Sequence, residues 1–337
     1  PSKPDGKPYV MRDGQSNPGN FNEHRKALMA MRDATSALAA AWLLRREEMH
    51  AQKAVELLRV FFLDEKTRMH PSLDHAQAIV GRATPDRGTG LIDTLHLMEV
   101  PLSILALRDS KAMTKEVFEE LKRWFADYTK WLIESPKGRN EAKAKNNHAV
   151  ACWAQIAAFA TLTEDKALLD ECRRQFKEVF VAVQMGADGG FPLELGRTKP
   201  YAYSIFQLDL MAALCQLLST PQDNLWAFTT PDGRGMGKAL RFLQPYLKNK
   251  DTWPKAPDVN AWEGWPVRQP ALLLGGLSFD EPACVDLWRE LKPDPQNFEI
   301  RRNNPITQPL LWTSVLKGVS AAEKRSVLVK SSKEAGL

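Results

Sequence analysis

The sequence has few cysteines and no group of residues with the spacing of a metal site. Its four cysteines, Cys152, Cys172, Cys215 and Cys284, are far apart in the chain and match no zinc-binding pattern. Cys152 and Cys215 lie in apolar helical contexts, so we interpret them as small buried side chains. The sequence does not determine whether a disulfide forms. We predict no metal and no cofactor.

Long apolar runs and a one-sided charge are also missing. We find no apolar run that approaches the length of a membrane-spanning helix. The net charge of +5 over 337 residues is too small to indicate nucleic-acid binding, although it is compatible with an acidic ligand. The expected partner is therefore neither a membrane nor a nucleic acid. The chain starts at Pro1 rather than at Met, and we expect a secreted or periplasmic monomer whose signal peptide has been removed.

Alternating β-branched strands are almost absent, and helical periodicity dominates. Apolar residues return every three or four positions in ten segments: Phe21–Glu48, Gln52–Leu63, Gly90–Leu107, Lys115–Glu134, Asn147–Leu162, Lys166–Val183, Ser204–Leu218, Gly237–Leu247, Pro266–Leu274 and Glu281–Leu291. Their recurrence predicts an all-α protein of paired helices stacked around a centre. We predict one domain over residues 20–318, with a lead-in over 1–19 and a C-terminal tail over 319–337.

Long polar loops separate the predicted helices. The longest, Lys66–Gly90, contains several glycines and prolines, and a loop of this length in a helical protein is more often functional than decorative. Three further loops stand out, Ser135–Asn146, Gly186–Pro200 and Asn249–Pro266.

Two short segments carry most of the chemical information. The first, KNNHAVACW, places Asn146, Asn147 and His148 side by side at the start of a predicted helix. The second, FPLELGRTKPYAYSIF, places Arg197 six residues before Tyr203. Taken singly, each residue has a structural interpretation: a helix cap beside a buried histidine, a salt-bridged loop arginine, a packed aromatic.

The combination of amide, imidazole, guanidinium and phenol suits removal of a proton from a carbon next to a carboxylate. Cleavage of a 4-linked uronic acid chain by β-elimination requires that the C6 carboxylate be neutralised, so that the proton on C5 becomes acidic. Arginine provides a charge-assisted hydrogen bond for this purpose, and asparagine and histidine add donors. A base then removes the C5 proton and an acid protonates the leaving O4. Tyrosine serves both steps if Arg197 and Lys199 lower its pKa.

Several motifs resemble those of alginate lyase-type polysaccharide lyases. They are the NNH motif, the preceding WL..S..G..E stretch, the LELGR…Y segment, YVMRDGQSNP at the N-terminus and RMHPSLDHAQAIVGR before Gly88. The PYAYSIF form is closest to the branch that includes glucuronan lyases, polysaccharide lyase family 38. The resemblance runs from about Tyr9 to Leu214. It implies an incomplete (α/α) toroid of stacked helical hairpins and an anionic polysaccharide substrate.

Carried over residue by residue, the resemblance implies that Asn147, His148 and Arg197 neutralise the carboxylate and that Tyr203 is the base and acid. In the older alginate lyases the tyrosine follows the arginine by seven residues, whereas here Tyr203 follows by six and Tyr201 by four. Tyr201 therefore remains an alternative. We prefer Tyr203, because it precedes the helix predicted to begin at Ser204.

Further residues are predicted to bind neighbouring sugars. The loop Lys66–Gly90 contributes Arg68, His70, Gln77 and Arg82, although a polar surface loop explains them equally well. Asn146, Lys199 and Tyr201 lie beside the predicted catalytic residues. Trp265 and Arg268, with Trp262, are candidates for a wall that stacks on sugars and binds charge, although tryptophan in a proline-rich segment is often a core residue.

Stereochemistry narrows the predicted substrate. In β-mannuronate and β-glucuronate, H5 and O4 lie on the same side, so one tyrosine serves both steps. In α-guluronate they are opposed, and His148 would act as base on the other face. We therefore predict 4,5-unsaturated uronate products from glucuronan or mannuronate-rich alginate. The sequence does not distinguish these two sugars, nor endo from exo action.

Four alternatives remain open. A glycoside hydrolase on a similar toroid requires two carboxylates across the bond, and Asp188, Glu194 and Asp209 lie near the motif. Glu194, however, is better explained as a structural partner of an arginine or of the backbone. The others are a non-catalytic binder of acidic polysaccharide, a metal-dependent lyase, for which no residue cluster has ligand spacing, and a helical scaffold for protein partners.

Overall fold

The computed structural model describes residues 12–15, 22–79 and 81–314. Within these ranges the chain forms α-helices and no β-strand. The α-helices are α1 (Glu23–Arg45), α2 (Glu48–Phe62), α3 (Val100–Leu107), α4 (Lys115–Glu134), α5 (Pro136–Ala142), α6 (Asn147–Thr163), α7 (Lys166–Gln175), α8 (Pro192–Leu195), α9 (Pro200–Leu218), α10 (Met236–Lys248), α11 (Pro270–Phe279), α12 (Pro282–Glu290), α13 (Phe298–Arg302) and α14 (Pro309–Ser314). The predicted all-α class is confirmed.

Three 3₁₀ segments and one π-helix complete the described elements. The 3₁₀ segments are Thr89–Glu99, Lys250–Thr252 and Trp262–Gly264, and the π-helix, Phe176–Gln184, continues α7. The predicted helix Gly90–Leu107 is therefore a 3₁₀ segment followed by α3. The predicted helix Phe21–Glu48 ends at Arg45, because Arg46 adopts a left-handed conformation with φ of 57° and turns the chain into α2.

Helix α6 lies at the centre of the fold. It packs against the 3₁₀ segment Thr89–Glu99, α4, α7 and α9, and most of its residues are buried. The alanines of the sequence AVACWAQIAAFA give it a thin side-chain layer over about half of its circumference, where other helices can approach it closely. Helix α9 is buried in the same way. A helix that is apolar on all sides belongs in a core.

The outer helices are amphipathic, as α4 illustrates. Its buried residues Phe118, Leu121, Phe125, Tyr128 and Leu132 repeat at alternating intervals of three and four, which places them on one face. The opposite face is charged. The helix begins where the Thr114 hydroxyl accepts a hydrogen bond of 3.3 Å from the Val117 N–H. An inner layer of apolar helices inside a layer of amphipathic helices is the arrangement of an (α/α) toroid, as the resemblance implied.

Two helical stretches, Thr89–Leu107 and Pro200–Leu218, are long and apolar enough to cross a membrane. Our expectation from the sequence, that no apolar run approaches such a length, was therefore wrong for these two. Of their apolar windows, 78% and 89% respectively are buried inside the protein. Both are helices of the core.

The cysteines, two element boundaries and the chain ends also bear on the sequence predictions. All four cysteines are buried and free. The predicted loop Ser135–Asn146 contains α5, and α9 begins at Pro200 rather than Ser204. Most of the lead-in 1–19, including most of the YVMRDGQSNP motif, lies outside the described residues, as does the tail 319–337, so the domain boundaries stay predictions.

Candidate active site

The first turn of α6 carries the two neighbouring residues Asn147 and His148. Asn146 occupies the N-cap position of α6, but its side chain makes no capping hydrogen bond. The helix-capping role that we considered for this motif is therefore not observed. The Asn147 backbone N–H donates instead to Glu194 Oε1, at 2.8 Å. The Asn147 side chain is buried, and neither its oxygen nor its nitrogen has a hydrogen-bond partner among the described residues. A buried amide without partners is costly unless a ligand pairs with it.

His148 is held by a carboxylate from the preceding helix. Its Nδ1 lies 2.5 Å from Oε1 of Glu141, whose side chain is only 4% exposed, whereas 18% of the histidine side chain remains exposed. The contact fixes the plane of the imidazole ring at the start of α6.

Glu194, in the short helix α8, connects α6 to the arginine. One carboxylate oxygen accepts from the Asn147 N–H, and the other lies 3.2 Å from Arg197 Nη1. The side chain is fully buried. Burial raises its pKa, although the Asn147 N–H and the charge of Arg197 oppose this rise. Our interpretation of Glu194 as a partner of the arginine and of the backbone is confirmed by these contacts.

The guanidinium of Arg197 lies between two acids and above a phenol ring. Besides Glu194, it contacts Asp13 through Nη2 at 2.5 Å and through Nε at 3.4 Å. Its Cζ atom lies 3.8 Å from the centre of the Tyr203 ring, within the range of a cation–π contact. Burial acts to lower the pKa of Arg197, but the hydrogen bond with Asp13 and the nearby negative charges outweigh it and raise the pKa.

Asp13 belongs to the short described segment Arg12–Gln15. Its carboxylate also accepts hydrogen bonds from Thr198, at 3.3 Å from the backbone N–H and 2.8 Å from the hydroxyl. Gly14 has a positive φ of 72°, and a Cβ atom there would lie 2.6 Å from the Thr198 hydroxyl, so the close approach requires glycine. Burial would raise the pKa of Asp13, but Arg197 and Thr198 lower it to about 2.

Tyr203 lies in the first turn of α9, partly buried beneath Arg197. Lys199 Nζ lies 4.7 Å from the ring centre. The sequence argument made the dual role of this tyrosine conditional on nearby cations lowering its pKa. That condition is not met in the free protein, because burial raises the pKa of Tyr203 more than the charge of Arg197 lowers it. The phenol is therefore protonated at neutral pH.

A distant carboxylate fixes the start of α9. The two carboxylate oxygens of Asp258 accept hydrogen bonds from the backbone N–H groups of Tyr201 and Ala202, at 3.0 and 2.9 Å. These are first-turn donors that have no partner within the helix. The turn that carries Tyr203 is thereby attached to the loop that precedes α11.

The sequence of this chain matches the family described as alginate lyase over residues 1–253. The chain belongs to the alginate lyase family. It is therefore a polysaccharide lyase. No functionally curated protein matches it.

Solved structures of alginate lyases resemble the fold of this lyase. An alginate lyase from Bacteroides ovatus is 32% identical, with a TM-score of 0.80 over 92% of this chain and 80% of that one. Alginate lyase A1-III is 12% identical in two structures, a histidine-to-alanine and a tyrosine-to-phenylalanine variant, each complexed with a tetrasaccharide. The first has a TM-score of 0.61 over 82% of this chain and 75% of that one; the second has 0.57 over 79% and 71%. At this identity, the A1-III structures show the likeness of fold alone.

Of the two candidate tyrosines in the lyase, only Tyr203 is stacked on Arg197. Tyr201 is fully buried, its hydroxyl donates to the Tyr246 carbonyl at 3.0 Å, and its ring packs edge-on against Trp253 and Trp262. These contacts conflict with the predicted substrate-binding role of Tyr201, because its polar atom is already bound inside the core.

Lys199 is also buried, and it forms an ion pair with Glu299 of α13. Burial lowers the pKa of its ammonium group, against the effect of Glu299. Because the charge of Lys199 is already paired with Glu299, Lys199 is not an unpaired cation in the site. Its contact with the site is the one that its Nζ makes with the Tyr203 ring.

Trp265 and Arg268 make their contacts inside the protein. Trp265 is buried in the hydrophobic core. The Arg268 guanidinium donates to the carbonyls of Trp288 and Arg289 at the end of α12, and it stacks on the Trp288 ring. Our prediction of a sugar-binding wall conflicts with these contacts, since both side chains are used within the protein.

The loop between α2 and the 3₁₀ segment Thr89–Glu99 borders the site. The C-terminal end of this loop is the part that lies beside the site. Gln77 and Arg82 line a cavity of about 310 Å³ together with Arg87 and Lys137. Gln77 also donates to Asp93, at 3.0 Å. The other two predicted residues, Arg68 and His70, are exposed. They flank Met69, whose carbonyl accepts a hydrogen bond from Trp124 of α4. Substrate contact for all four stays a prediction.

Sequence reasoning missed three acids of this site. Glu141 appeared only as part of a motif, Asp13 only as part of the N-terminal match, and Asp258 not at all. Long-range pairing leaves no local pattern in a sequence, so no signal would have found Asp258. Over the ranges that the structure covers, no group of three His, Cys, Asp or Glu residues is arranged to hold a metal ion.

Proposed function

We propose that this lyase cleaves 1,4-linked polyuronate, glucuronan or mannuronate-rich alginate, by metal-independent β-elimination. Asn147, His148 and Arg197 neutralise the carboxylate of the sugar, and Tyr203 is both base and acid. The observation that carries the proposal is the stack of Arg197 on Tyr203, with Glu194 tying the arginine to the turn that bears Asn147 and His148.

The stack gives each group a role in the reaction. The guanidinium and the amide donate to the C6 carboxylate, which stabilises the negative charge that develops when C5 loses its proton. Tyr203 must first lose its own proton, and Arg197 is the group that opposes the effect of burial on its pKa. The phenolate then takes the C5 proton, and the resulting phenol donates to O4 as the C4–O4 bond breaks. The products are a free hydroxyl and a 4,5-unsaturated uronate.

A single tyrosine favours sugars in which H5 and O4 lie on one face, namely mannuronate and glucuronate. The charge at the loop supports a polymeric anion, because its cavity is lined by three basic residues, Arg82, Arg87 and Lys137, and one acidic residue, Asp74. The relatives named above are called alginate lyases, and two A1-III variants hold a tetrasaccharide. Assignment to the glucuronan-lyase branch, and export from the cytoplasm to meet a polymer, belong to this proposal.

Metal independence follows from the donors themselves. Arginine, asparagine and histidine supply the neutralisation that a divalent cation would otherwise provide. We expect lyase activity to be unchanged after dialysis against a chelator. Activity that disappears there and returns with Ca²⁺ or Mg²⁺ would refute this part.

The experiment is a panel of polymannuronate, polyguluronate, glucuronan and hyaluronan-type chains, followed by the ultraviolet absorbance of the conjugated double bond. Wild type should act on polymannuronate or glucuronan. Tyr203→Phe should lose at least about 10³-fold of that activity, since general acid–base groups contribute about 10²–10⁴-fold each. Tyr201→Phe is the matched control, because it removes a hydroxyl bound inside the core and should retain activity.

The rival functions give different results in the same panel. A hydrolase would release reducing ends without absorbance, and a non-catalytic binder would bind polyuronate and release neither. A lyase of another specificity would act on polyguluronate or the hyaluronan-type chain only. Any of these results would overturn the proposal.

A further inference from the structure

The histidine of the site has a buried partner that the proposed mechanism does not use. Glu141 Oε1 lies 2.5 Å from His148 Nδ1, and the glutamate side chain is only 4% exposed. The other ring nitrogen, Nε2, makes no hydrogen bond within the described part of the chain. A neutral imidazole carries one proton, and the hydrogen bond at one nitrogen decides which nitrogen keeps it.

Close backbone packing sets the position of Glu141. The Ser135 hydroxyl accepts from the Gly138 N–H at 2.9 Å and starts α5. A Cβ atom on Gly138 would lie 1.8 Å from the Leu132 carbonyl oxygen, and one on Gly88 would lie 2.9 Å from Glu141 Cβ. Helix α5 is thus packed against α4 on one side and against the end of the long loop on the other.

The loop also places a positive charge near Glu141. The negative charges of Glu141 and Asp93 act to raise the pKa of Arg87, but burial outweighs them and lowers it. Arg87 Nη1 donates to the Gln77 carbonyl at 2.7 Å, which holds the arginine to the loop. The Glu141 carboxylate therefore has the charge of Arg87 and the imidazole of His148 as its neighbours.

We propose that Glu141 is the positioning residue of His148. It takes the hydrogen bond from Nδ1–H and so presents Nε2 to the uronate, as the acceptor of a neutral ring or as the donor of a charged one. This inference rests on the proposed function for its kinetic consequence, but the state of the imidazole can be measured independently of any activity.

The first test is spectroscopic and uses the wild-type chain with ¹⁵N-labelled histidine. The signals of His148 are assigned by their loss in a His148→Gln variant. We expect the neutral imidazole of His148 to carry its proton on Nδ1, with Nε2 unprotonated. A neutral ring with its proton on Nε2 would overturn the proposal.

The second test compares Glu141→Gln with Glu134→Gln, an exposed glutamate at the end of α4. Glutamine retains the size of the side chain but offers a donor as well as an acceptor, so the preference for Nδ1–H should weaken. We expect kcat/KM to fall about 10- to 100-fold, by analogy with metal-bound histidines that lose the partner orienting them. The larger part should fall on kcat, and the Glu134→Gln variant should be unchanged.

The outcomes separate the two proposals. An unchanged imidazole spectrum and unchanged kinetics in Glu141→Gln would overturn the role of Glu141. If wild type cleaves no polyuronate, the proposed function fails, while the spectroscopic arm still decides whether Glu141 holds the Nδ1 proton. If Glu141→Gln does not fold, the wild-type spectrum remains decisive.

Discussion

Glu194→Gln tests whether the connection between the two halves of the site matters more for catalysis than for stability. Glutamine has the shape of glutamate, and its carbonyl can still accept from the Asn147 N–H, which lies 2.8 Å from Glu194 Oε1 in the wild type. Its NH₂ group would take the place of Glu194 Oε2, which lies 3.2 Å from Arg197 Nη1 in the wild type. Two donors would then face each other. The variant therefore keeps the bond to the backbone and loses the ion pair.

The stability effect is the balance of two opposing terms. A hydrogen bond to a charged group contributes about 1.5–3 kcal/mol. Against this, burial raises the pKa of Glu194, so removing the charge relieves a desolvation cost. Arg197 also retains Asp13 as a partner. We expect a net loss of about 1–2 kcal/mol in the free energy of unfolding, or a few degrees in Tm for a chain of this size.

The catalytic effect should be larger. A guanidinium that turns away from its position no longer faces the developing charge, and loss of one such donor costs about 10²–10³-fold in kcat. At about 1.36 kcal/mol per factor of ten, a 100-fold loss corresponds to about 2.7 kcal/mol. The assay is ultraviolet product formation on the preferred polyuronate, with denaturant unfolding measured in parallel.

The control is Glu178→Gln, which removes a surface ion pair with Arg174 at 2.7 Å and should change neither quantity measurably. Activity of folded Glu194→Gln within about threefold of wild type would contradict this expectation, since loss of a transition-state donor should cost far more. A loss of activity that unfolded protein explains fully would contradict it equally.

Three further predictions concern protons and packing. Because burial raises the pKa of Tyr203, kcat/KM should rise with pH and not level off below about pH 10; a plateau near neutral pH would contradict this. The folded pKa of Asp13 is lowered from 3.8 to about 2, so its ion pair stabilises the fold above about pH 4 and is lost as the pH falls toward 2. Since that side chain is 39% exposed, Asp13→Asn should cost at most about 1 kcal/mol at pH 7 and progressively less on acidification, measured by denaturant unfolding at each pH. Gly138→Ala places a methyl group against the Leu132 carbonyl and should lower the free energy of unfolding by about 2–3 kcal/mol, with reduced activity because α5 carries Glu141; a stability equal to wild type would show that α5 shifts freely.

The parts of the fold that follow from local chemistry were predictable. Helix α4 matches the predicted range Lys115–Glu134 because a threonine cap marks its start and a strict apolar face runs along its length. The start of α6 at Asn147 was likewise predicted. The 3₁₀ segment Thr89–Glu99 was not, because its apolar pattern is the same as that of an α-helix and only packing against α6 and α1 distinguishes the two.

The residues of the candidate site also fall into a group that the sequence predicts and a group that it does not. Asn147, His148, Arg197 and Tyr203 could be proposed because they lie in two short motifs with recognisable chemistry. Their supporting acids could not, because Asp13 and Arg197 are 184 positions apart, and Asp258 and Tyr201 are 57 apart. The raised pKa of Tyr203 also escaped prediction, since it depends on burial rather than on the cations that the sequence shows beside it.

The attachment of Asp258 to the first turn of α9 has a consequence for how the enzyme loses activity on heating. Helix ends normally fray well below the global transition, because their outer groups open independently. Here the turn that bears Tyr203 is fastened at its beginning by Asp258 and continues into a helix whose residues are nearly all buried. Local melting of the turn that bears Tyr203 would therefore require that the core itself open, so heat inactivation and cooperative unfolding should occur at one temperature.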